Sequence, residues 1–172
     1  MTDLVRRALV DDAALCVGLD RDFSPVFSKL ESYKRLLARK GLVLLAETHG
    51  EPAGMAVLEE QAGELALHNL LVVPRYRRQG FATALLKAVG KHASAEDLNR
   101  VTLEVRESNR AALALYESRG FQVDARRPGY YPGGDSGARE TAILMSLVVS
   151  GPPNADARRP RRPFTNAGAD ST

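Results

Sequence analysis

An apolar run, an arginine-rich turn and an amphipathic stretch follow one another between residues 65 and 93, and this order restricts the fold more than any other feature. LALHNLLVV (65–73) has the length and composition of a buried strand, and a helical pattern begins at Phe81. The connection between them, PRYRRQG (74–80), places three arginines before a glycine. Because the first N–H groups of a helix have no helical partner, this connection predicts an anion site, with phosphate as the expected anion.

Two common phosphate-binding loops are excluded, because neither GxxxxGKS/T nor GxGxxG occurs in the chain. Gly80 permits close approach of the backbone to a ligand, and Ala82 is too small to obstruct it. The plain alternative is an exposed basic loop that only precedes a helix. That alternative accounts for the arginines but not for Arg77, Gly80 and Ala82 occurring together after a buried strand.

The rest of residues 1–150 alternates between sheet and helix patterns. Strands are predicted at 2–9, 42–48, 54–60, 65–73, 101–107, directly after Phe121 and at 141–149. Helices are predicted at 24–40, from Phe81 to about Ala93, and up to Arg119 before Gly120. A Gly/Pro-rich loop, RRPGYYPGG (126–134), precedes the last strand. These patterns predict one α/β domain over residues 1–150 with a mixed sheet.

The chain's positive charge is concentrated in its last residues. Four arginines and two aspartates give residues 151–172 a charge of +2, which leaves +1 of the total of +3 for residues 1–150. This tail is basic, rich in Pro and Arg, and has little apolar surface to bury, which predicts disorder. Nucleic acid is therefore not an expected partner, except weakly through the tail.

Composition also restricts the compartment and the kind of site. No apolar run is long enough to span a membrane, so no membrane partner is predicted. The single cysteine, Cys16, is expected to be a buried structural thiol in a cytoplasmic protein. No His, Cys, Asp or Glu residues have metal-ligand spacing, so no metal is predicted.

The arginine-rich turn resembles the Q/R-x-x-G-x-G/A pyrophosphate loop of the GNAT acyltransferases. LEVRESNRAALALYESRGF (103–121) is similar to the same superfamily, particularly to its ribosomal-protein alanine N-acetyltransferase (RimI-type) branch, and so is GYYP (129–132) with the strand after it. The resemblance runs from about Glu64 to Val149. It implies a GNAT fold: a mixed, mostly antiparallel sheet flanked by helices on both faces and splayed between strands four and five.

The resemblance implies acetyl-CoA as the cosubstrate. It assigns the pyrophosphate to the turn and the first helical residues: Arg77, Arg78, Gln79, Gly80, Phe81, Ala82 and Thr83. It also implies that backbone groups of Leu70, Leu71 and Val72, splayed by a bulge, hold the pantetheine arm and the acetyl carbonyl. Taken alone, these three apolar residues would be assigned to the core. Asn109 is implied to contact coenzyme A.

Glu104 and Tyr116 are the predicted catalytic residues. Glu104 alternates with apolar neighbours and so points away from them. A carboxylate there can take the proton that an amine must lose before attack, directly or through water, although a surface ion pair is the usual fate of such a residue. The resemblance favours the base role and assigns Tyr116 to protonating the departing thiolate, against a buried structural tyrosine. His68 is the reserve base.

The implied reaction is direct acetyl transfer to a primary amine in a ternary complex. The branch implies a protein N-terminal α-amine, with a ribosomal protein as one candidate. A lysine side chain, a small-molecule amine and a non-catalytic acyl-CoA-binding module are the alternatives. Tyr130 and Tyr131, placed in a flexible loop, are expected either to close over an extended peptide or simply to cover the edge of the core.

Overall fold

A computed structural model of the chain describes residues 4–23, 29–38, 41–132 and 137–149. The strands in these residues are β1 (Leu4–Arg7), β2 (Leu42–Thr48), β3 (Glu51–Gln61), β4 (Glu64–Val72), β5 (Arg100–Arg106), β6 (Gln122–Tyr131) and β7 (Glu140–Val148). The helices are α1 (Ala13–Phe23), α2 (Leu30–Ala38), α3 (Phe81–Ala95) and α4 (Arg110–Ser118). Most of the predicted elements are found, and residues 24–28, 39 and 40 of the helix predicted at 24–40 lie outside the described residues.

The strands form one mixed sheet in the order β1-β2-β3-β4-β5-β7-β6. Only β4 and β5 are parallel, because α3 carries the chain back across the sheet between them. Their pairing covers Leu65–Leu67 and Val101–Leu103, and beyond these residues the two strands separate. The predicted splay between strands four and five is therefore confirmed.

Helices cover both faces of the sheet and divide the core into two clusters. One cluster joins α3 and Tyr116 of α4 to side chains such as Leu67 and Leu103. The other joins α1 and α2 to Met55 and Leu71. Cys16 lies in the second cluster with its side chain fully buried, and burial raises the pKa of its thiol to about 11, as expected for a structural cysteine.

A bulge at His68 divides β4 into two halves. Val57 pairs with Asn69 while Leu58 pairs with Leu67, so His68 is an extra residue in this strand. The extra residue reverses the alternation of side chains: Leu67 packs in the α3 cluster, whereas Leu71, four positions later, packs against α1 and α2. The bulge thus sets which face each following side chain of β4 occupies.

The prediction of a flexible loop at 126–134 is wrong for its first six residues. β6 continues to Tyr131, and an irregular register between Arg127 and Tyr131 accommodates Pro128 and Gly129. Proline is tolerated at this position because β6 is the edge strand of the sheet. Tyr130 and Tyr131 are therefore strand residues with a defined backbone. No helix in the described part of the chain is long and apolar enough to cross a membrane.

Candidate active site

The arginine-rich connection between β4 and α3 enters the helix through a left-handed glycine. Residues Pro74–Tyr76 form a 3₁₀ turn, and Gly80 takes a φ of 92° immediately before α3. A Cβ on Gly80 would meet nothing within 4 Å, so the backbone conformation, not lack of space, calls for glycine here. The open space beside Gly80 leaves the backbone accessible to a ligand.

The start of α3 leaves backbone N–H groups without partners. The first hydrogen bond of the helix runs from the N–H of Ala84 to the carbonyl of Gly80 at 2.9 Å. Within the described ranges, no acceptor receives the N–H of Phe81, Ala82 or Thr83, and no side chain caps the helix. Unpartnered N–H groups at a helix N-terminus attract anions, so this is the geometry of an anion site.

The side chains of the turn differ in what they contact. Arg77 donates from Nε to the carbonyl of Val72 at 3.2 Å. Gln79 donates from Nε2 to the carbonyl of Arg75 at 2.9 Å. Both side chains therefore stabilise the turn. The exposed Arg78 makes no hydrogen bond or ion pair with any residue that the structure describes. The ring of Phe81 is buried and meets the ring of Tyr76 edge to face, so its N–H, not its side chain, is open to a ligand.

β3 approaches the end of β4 at a glycine that the sequence analysis did not single out. A Cβ on Gly54 would overlap the carbonyl oxygen of Leu71, so only glycine fits at this position. Leu70, Leu71 and Val72 lie beyond the last residue of β4 that pairs with β5, so their backbone groups on that side have no strand partner. An isolated glycine within a strand pattern is the signal that could have indicated this close approach.

A cleft of about 470 Å³ opens where β4 and β5 separate. His68 and Glu104 are the first residues beyond the last paired positions of the two strands, and both line the cleft. Thr102, Tyr130 and Tyr131 also line it. The structure thus brings together Glu104, which is the predicted base, His68, which is the reserve base, and the β6 tyrosines Tyr130 and Tyr131.

The carboxylate of Glu104 makes an ion pair inside this cleft. Its strand neighbours Leu103 and Val105 are buried, and Glu104 projects from the opposite face, as the alternation predicted. Its Oε1 lies 3.1 Å from Nη1 of Arg127, and its side chain is 34% exposed. Arg106, two residues further along β5, binds Glu140 instead. Glu104 therefore has both an ion pair and access to a ligand in the cleft.

Tyr116 lies in the core with its ring packed on Phe121, 5.6 Å between centroids. Burial raises the pKa of Tyr116 to about 12, and Tyr131 adds to the shift. Its hydroxyl has no hydrogen-bond partner among the described residues, and Tyr116 does not line the cleft.

The other predicted polar residues have ordinary local contacts. The Asn109 side chain caps α4 by accepting a hydrogen bond from the N–H of Ala112 at 3.2 Å, which leaves its NH₂ group available. His68 lies 3.3 Å from Glu59 at the rim of the cleft. Among the described residues, no group of three or more His, Cys, Asp or Glu could hold a metal ion.

The two tyrosines that line the cleft, Tyr130 and Tyr131, each have an arginine over the ring. Arg127 lies 4.6 Å from the centroid of Tyr130, and Arg106 lies 4.3 Å from that of Tyr131. The two tyrosine rings meet edge to face with centroids 5.0 Å apart. The pKa of Tyr131 is raised first by burial and then by the charge of Glu104.

A buried polar group behind the cleft was missed by the sequence analysis. Asp20 of α1 is 4% exposed and accepts a hydrogen bond from the Asn69 side chain at 3.1 Å. Burial, and then the charge of Asp20, raise the pKa of the buried Tyr33 phenol in α2. Asn69 directly follows the bulge, so its hydrogen bond connects α1 to the strand that lines the splay. Because Asp20 and Asn69 are far apart in the sequence, no local sequence pattern predicts their contact.

The chain matches known proteins over most of this architecture. Residues 12–121 match the model of the acetyltransferase (GNAT) family. Over 102 residues, 59% of this chain and 68% of the relative, the sequence is 41% identical to the ribosomal protein bS18-alanine N-acetyltransferase of Escherichia coli K12.

Solved structures match the fold over a longer range. The crystal structure of the ribosomal-protein-S18-alanine N-acetyltransferase from Escherichia coli superposes with a TM-score of 0.79 at 28% identity, covering 90% of this chain and 98% of that one. The Arabidopsis thaliana NAA60 structure in complex with acetyl-CoA has a TM-score of 0.73 at 21% identity, covering 87% of this chain and 100% of the other. At that identity, the second match concerns the fold alone.

Proposed function

The chain belongs to the acetyltransferase (GNAT) family, and on that premise we propose that it transfers the acetyl group of acetyl-CoA to the α-amine at the N-terminus of a protein. Family and relatives together show the enzyme class, an N-acetyltransferase, and confirm the fold expected from the motifs. The non-catalytic module that the sequence left open is thereby set aside.

Acetyl-CoA fits the turn before α3 through its pyrophosphate. The unpartnered N–H groups of Phe81, Ala82 and Thr83, together with the unpaired Arg78, offer donors and positive charge in one place. Gly80 leaves the approach open. In this proposal, the backbone of Leu70, Leu71 and Val72 then holds the pantetheine arm along the separated edge of β4, with Asn109 as a further contact.

The observation that carries the proposal is the position of Glu104 at the point where β4 and β5 separate, inside the cleft. There the carboxylate takes a proton from the acceptor amine, whose nitrogen attacks the thioester carbonyl. The C–S bond breaks as the tetrahedral intermediate collapses, and the thiolate receives a proton from Tyr116. Because the pKa of Tyr116 is raised to about 12, the phenol holds this proton at neutral pH.

Two arguments favour an α-amine as the acceptor. An α-amine has a pKa of roughly 8 and a lysine side chain one of about 10.4, so at neutral pH the α-amine is deprotonated far more often. Moreover, the two Escherichia coli proteins compared above are named as alanine N-acetyltransferases of a ribosomal protein. A ribosomal protein made in the cytoplasm is the candidate acceptor, with lysine side chains and small-molecule amines as the alternatives.

A matched set of peptides tests the acceptor. One peptide carries a free small first residue and an internal lysine; the second is identical but blocked at its α-amine. We expect acetyl-CoA-dependent thiol release with the first peptide only, and mass spectrometry should place the acetyl group on the first residue. Acetylation of the blocked peptide at lysine, or preference for free polyamines over both peptides, would contradict the acceptor assignment while leaving the enzyme class intact.

A further inference from the structure

Two adjacent arginines of β6 each form an ion pair with a glutamate of the β5 region. Arg126 pairs with Glu107, which follows the end of β5, and Arg127 pairs with Glu104. Only the second glutamate lines the cleft. The two arginines therefore lie on the same strand and each pairs with a glutamate, but only the partner of Arg127 lines the cleft.

The carboxylate of Glu104 is held by Arg127 alone among the described residues. Its Oε1 is 3.1 Å from Nη1, and no hydrogen bond or second ion pair restrains the group. Two other charged or titratable side chains around this end of the cleft have their own partners: Arg106 binds Glu140 at 2.9 Å, and His68 lies 3.3 Å from Glu59. Without Arg127, the carboxylate would be free to leave its present position.

Arg127 is itself restrained. Its backbone is paired in β6 with Ala142, and its guanidinium stacks on the ring of Tyr130 at 4.6 Å from the centroid. Stacking on an aromatic face orients the planar guanidinium as well as stabilising it. The chain of contacts from Tyr130 through Arg127 to Glu104 thus runs from the wall of the cleft to its carboxylate.

We propose that Arg127 is a positioning residue that holds the carboxylate of Glu104 in the cleft, in position for the acceptor amine. Its guanidinium lies 3.1 Å from the carboxylate and is itself restrained by Tyr130, so it restricts where the carboxylate can move. A base that is in position for a larger fraction of the time transfers protons faster at saturating acceptor, with no change in acceptor binding. This inference rests on the proposed role of Glu104 as the base.

The first test compares neighbouring arginines. Arg127→Gln should lower kcat roughly five- to tenfold while the KM values for acetyl-CoA and for the peptide stay within about twofold. Arg126→Gln, the matched control, should keep the kcat of the unmodified enzyme. Arg127→Lys should recover most of the lost kcat, because an ammonium can make the same single contact although it loses the stacking. An unchanged kcat in Arg127→Gln, or an equal loss in Arg126→Gln, would overturn the proposal.

A double-mutant cycle then separates positioning from other roles. If Arg127 acts only through Glu104, adding Arg127→Gln to Glu104→Gln should not lower kcat further. If Arg127→Gln lowered kcat by the same factor in the Glu104→Gln variant as in the unmodified enzyme, Arg127 would act independently of Glu104 and the proposal would fail. Full activity of Glu104→Gln alone would instead refute the base role in the proposed function. If kcat falls in the Glu104→Gln variant but is unchanged in the Arg127→Gln variant, only the inference about Arg127 is refuted.

Discussion

Individual glycines near the proposed cofactor site are required for two different physical reasons. Gly80 has a φ of 92° with open space around its missing Cβ, whereas Gly54 lies in a strand where a Cβ would overlap Leu71. The first glycine is needed for a backbone conformation, and the second for the close packing of two strands. Only the first was recognised from the sequence, because it stands before an evident helix.

Replacement of Gly80 separates backbone strain from cofactor binding. Gly80→Val should weaken acetyl-CoA binding by about tenfold or more in a calorimetric titration, since strain and a branched side chain both disturb the N–H groups before α3. Gly63 is the matched control, because it has a φ of 83° and equally open surroundings in the β3–β4 turn. Both valine variants should lose about 1–3 kcal/mol of stability, but only the first should lose affinity. Equal affinity in the two variants would contradict the assignment of the turn.

Among the elements, β4 contributes most to the arrangement of the site. Its first half pairs with β5, its bulge at His68 reverses the faces of the side chains, and its second half leaves β5 and runs to the arginine-rich turn. Asn69, directly after the bulge, is bound by Asp20 of α1. The helices on one face therefore stabilise the strand at the position where it leaves its neighbour.

Loss of the hydrogen bond between Asn69 and Asp20 should destabilise the protein. Asn69→Ala removes a hydrogen-bond donor to the 4% exposed side chain of Asp20, and a buried acceptor that loses a donor costs about 1–3 kcal/mol. The free energy of unfolding, measured by urea denaturation, should fall by that amount. Asn99→Ala, which changes an exposed asparagine, should alter it by less than about 0.5 kcal/mol. Equal stabilities for the two variants would show that the Asp20 contact contributes nothing.

On the scale of the whole molecule, the two faces of the sheet serve different parts of the proposed reaction. α3, whose N-terminus is proposed to bind the pyrophosphate, packs on one face. Glu104 projects from the other face into the cleft. The separation of β4 and β5 connects the two faces, so acetyl-CoA and the acceptor can meet from opposite sides.

We propose that residues 1–150 contain everything the reaction needs. Deletion of residues 151–172 should leave the melting temperature and acetyl-CoA turnover nearly unchanged, because this tail offers little apolar surface to bury. Truncation before Glu140 should abolish folding, because β7 lies between β5 and β6 in the sheet. A large loss of stability or turnover when residues 151–172 are deleted would show that the tail contributes to the domain.

The sequence by itself indicated most of the elements in their order, the helix start with unpartnered N–H groups at Phe81, and the face from which Glu104 projects. These features depend on neighbours along the chain: burial alternates along a strand, and N–H groups are unpartnered at a helix start. The assignments of Glu104, Tyr116 and the coenzyme A contacts remain predictions, although the structure brings Glu104 and the tyrosines of β6 into one cleft.

The tertiary structure alone decided the partner of Glu104, the strand conformation of Tyr130 and Tyr131, and the burial of Asp20 against Asn69. Arg127 reaches Glu104 only because β6 pairs with β7 and β7 with β5 in one particular register. Asp20 and Asn69 are 49 residues apart, and their contact depends on how α1 packs across the bulged strand. Local patterns restrict backbone conformation and burial, but the choice among distant polar partners is made by strand register and helix packing.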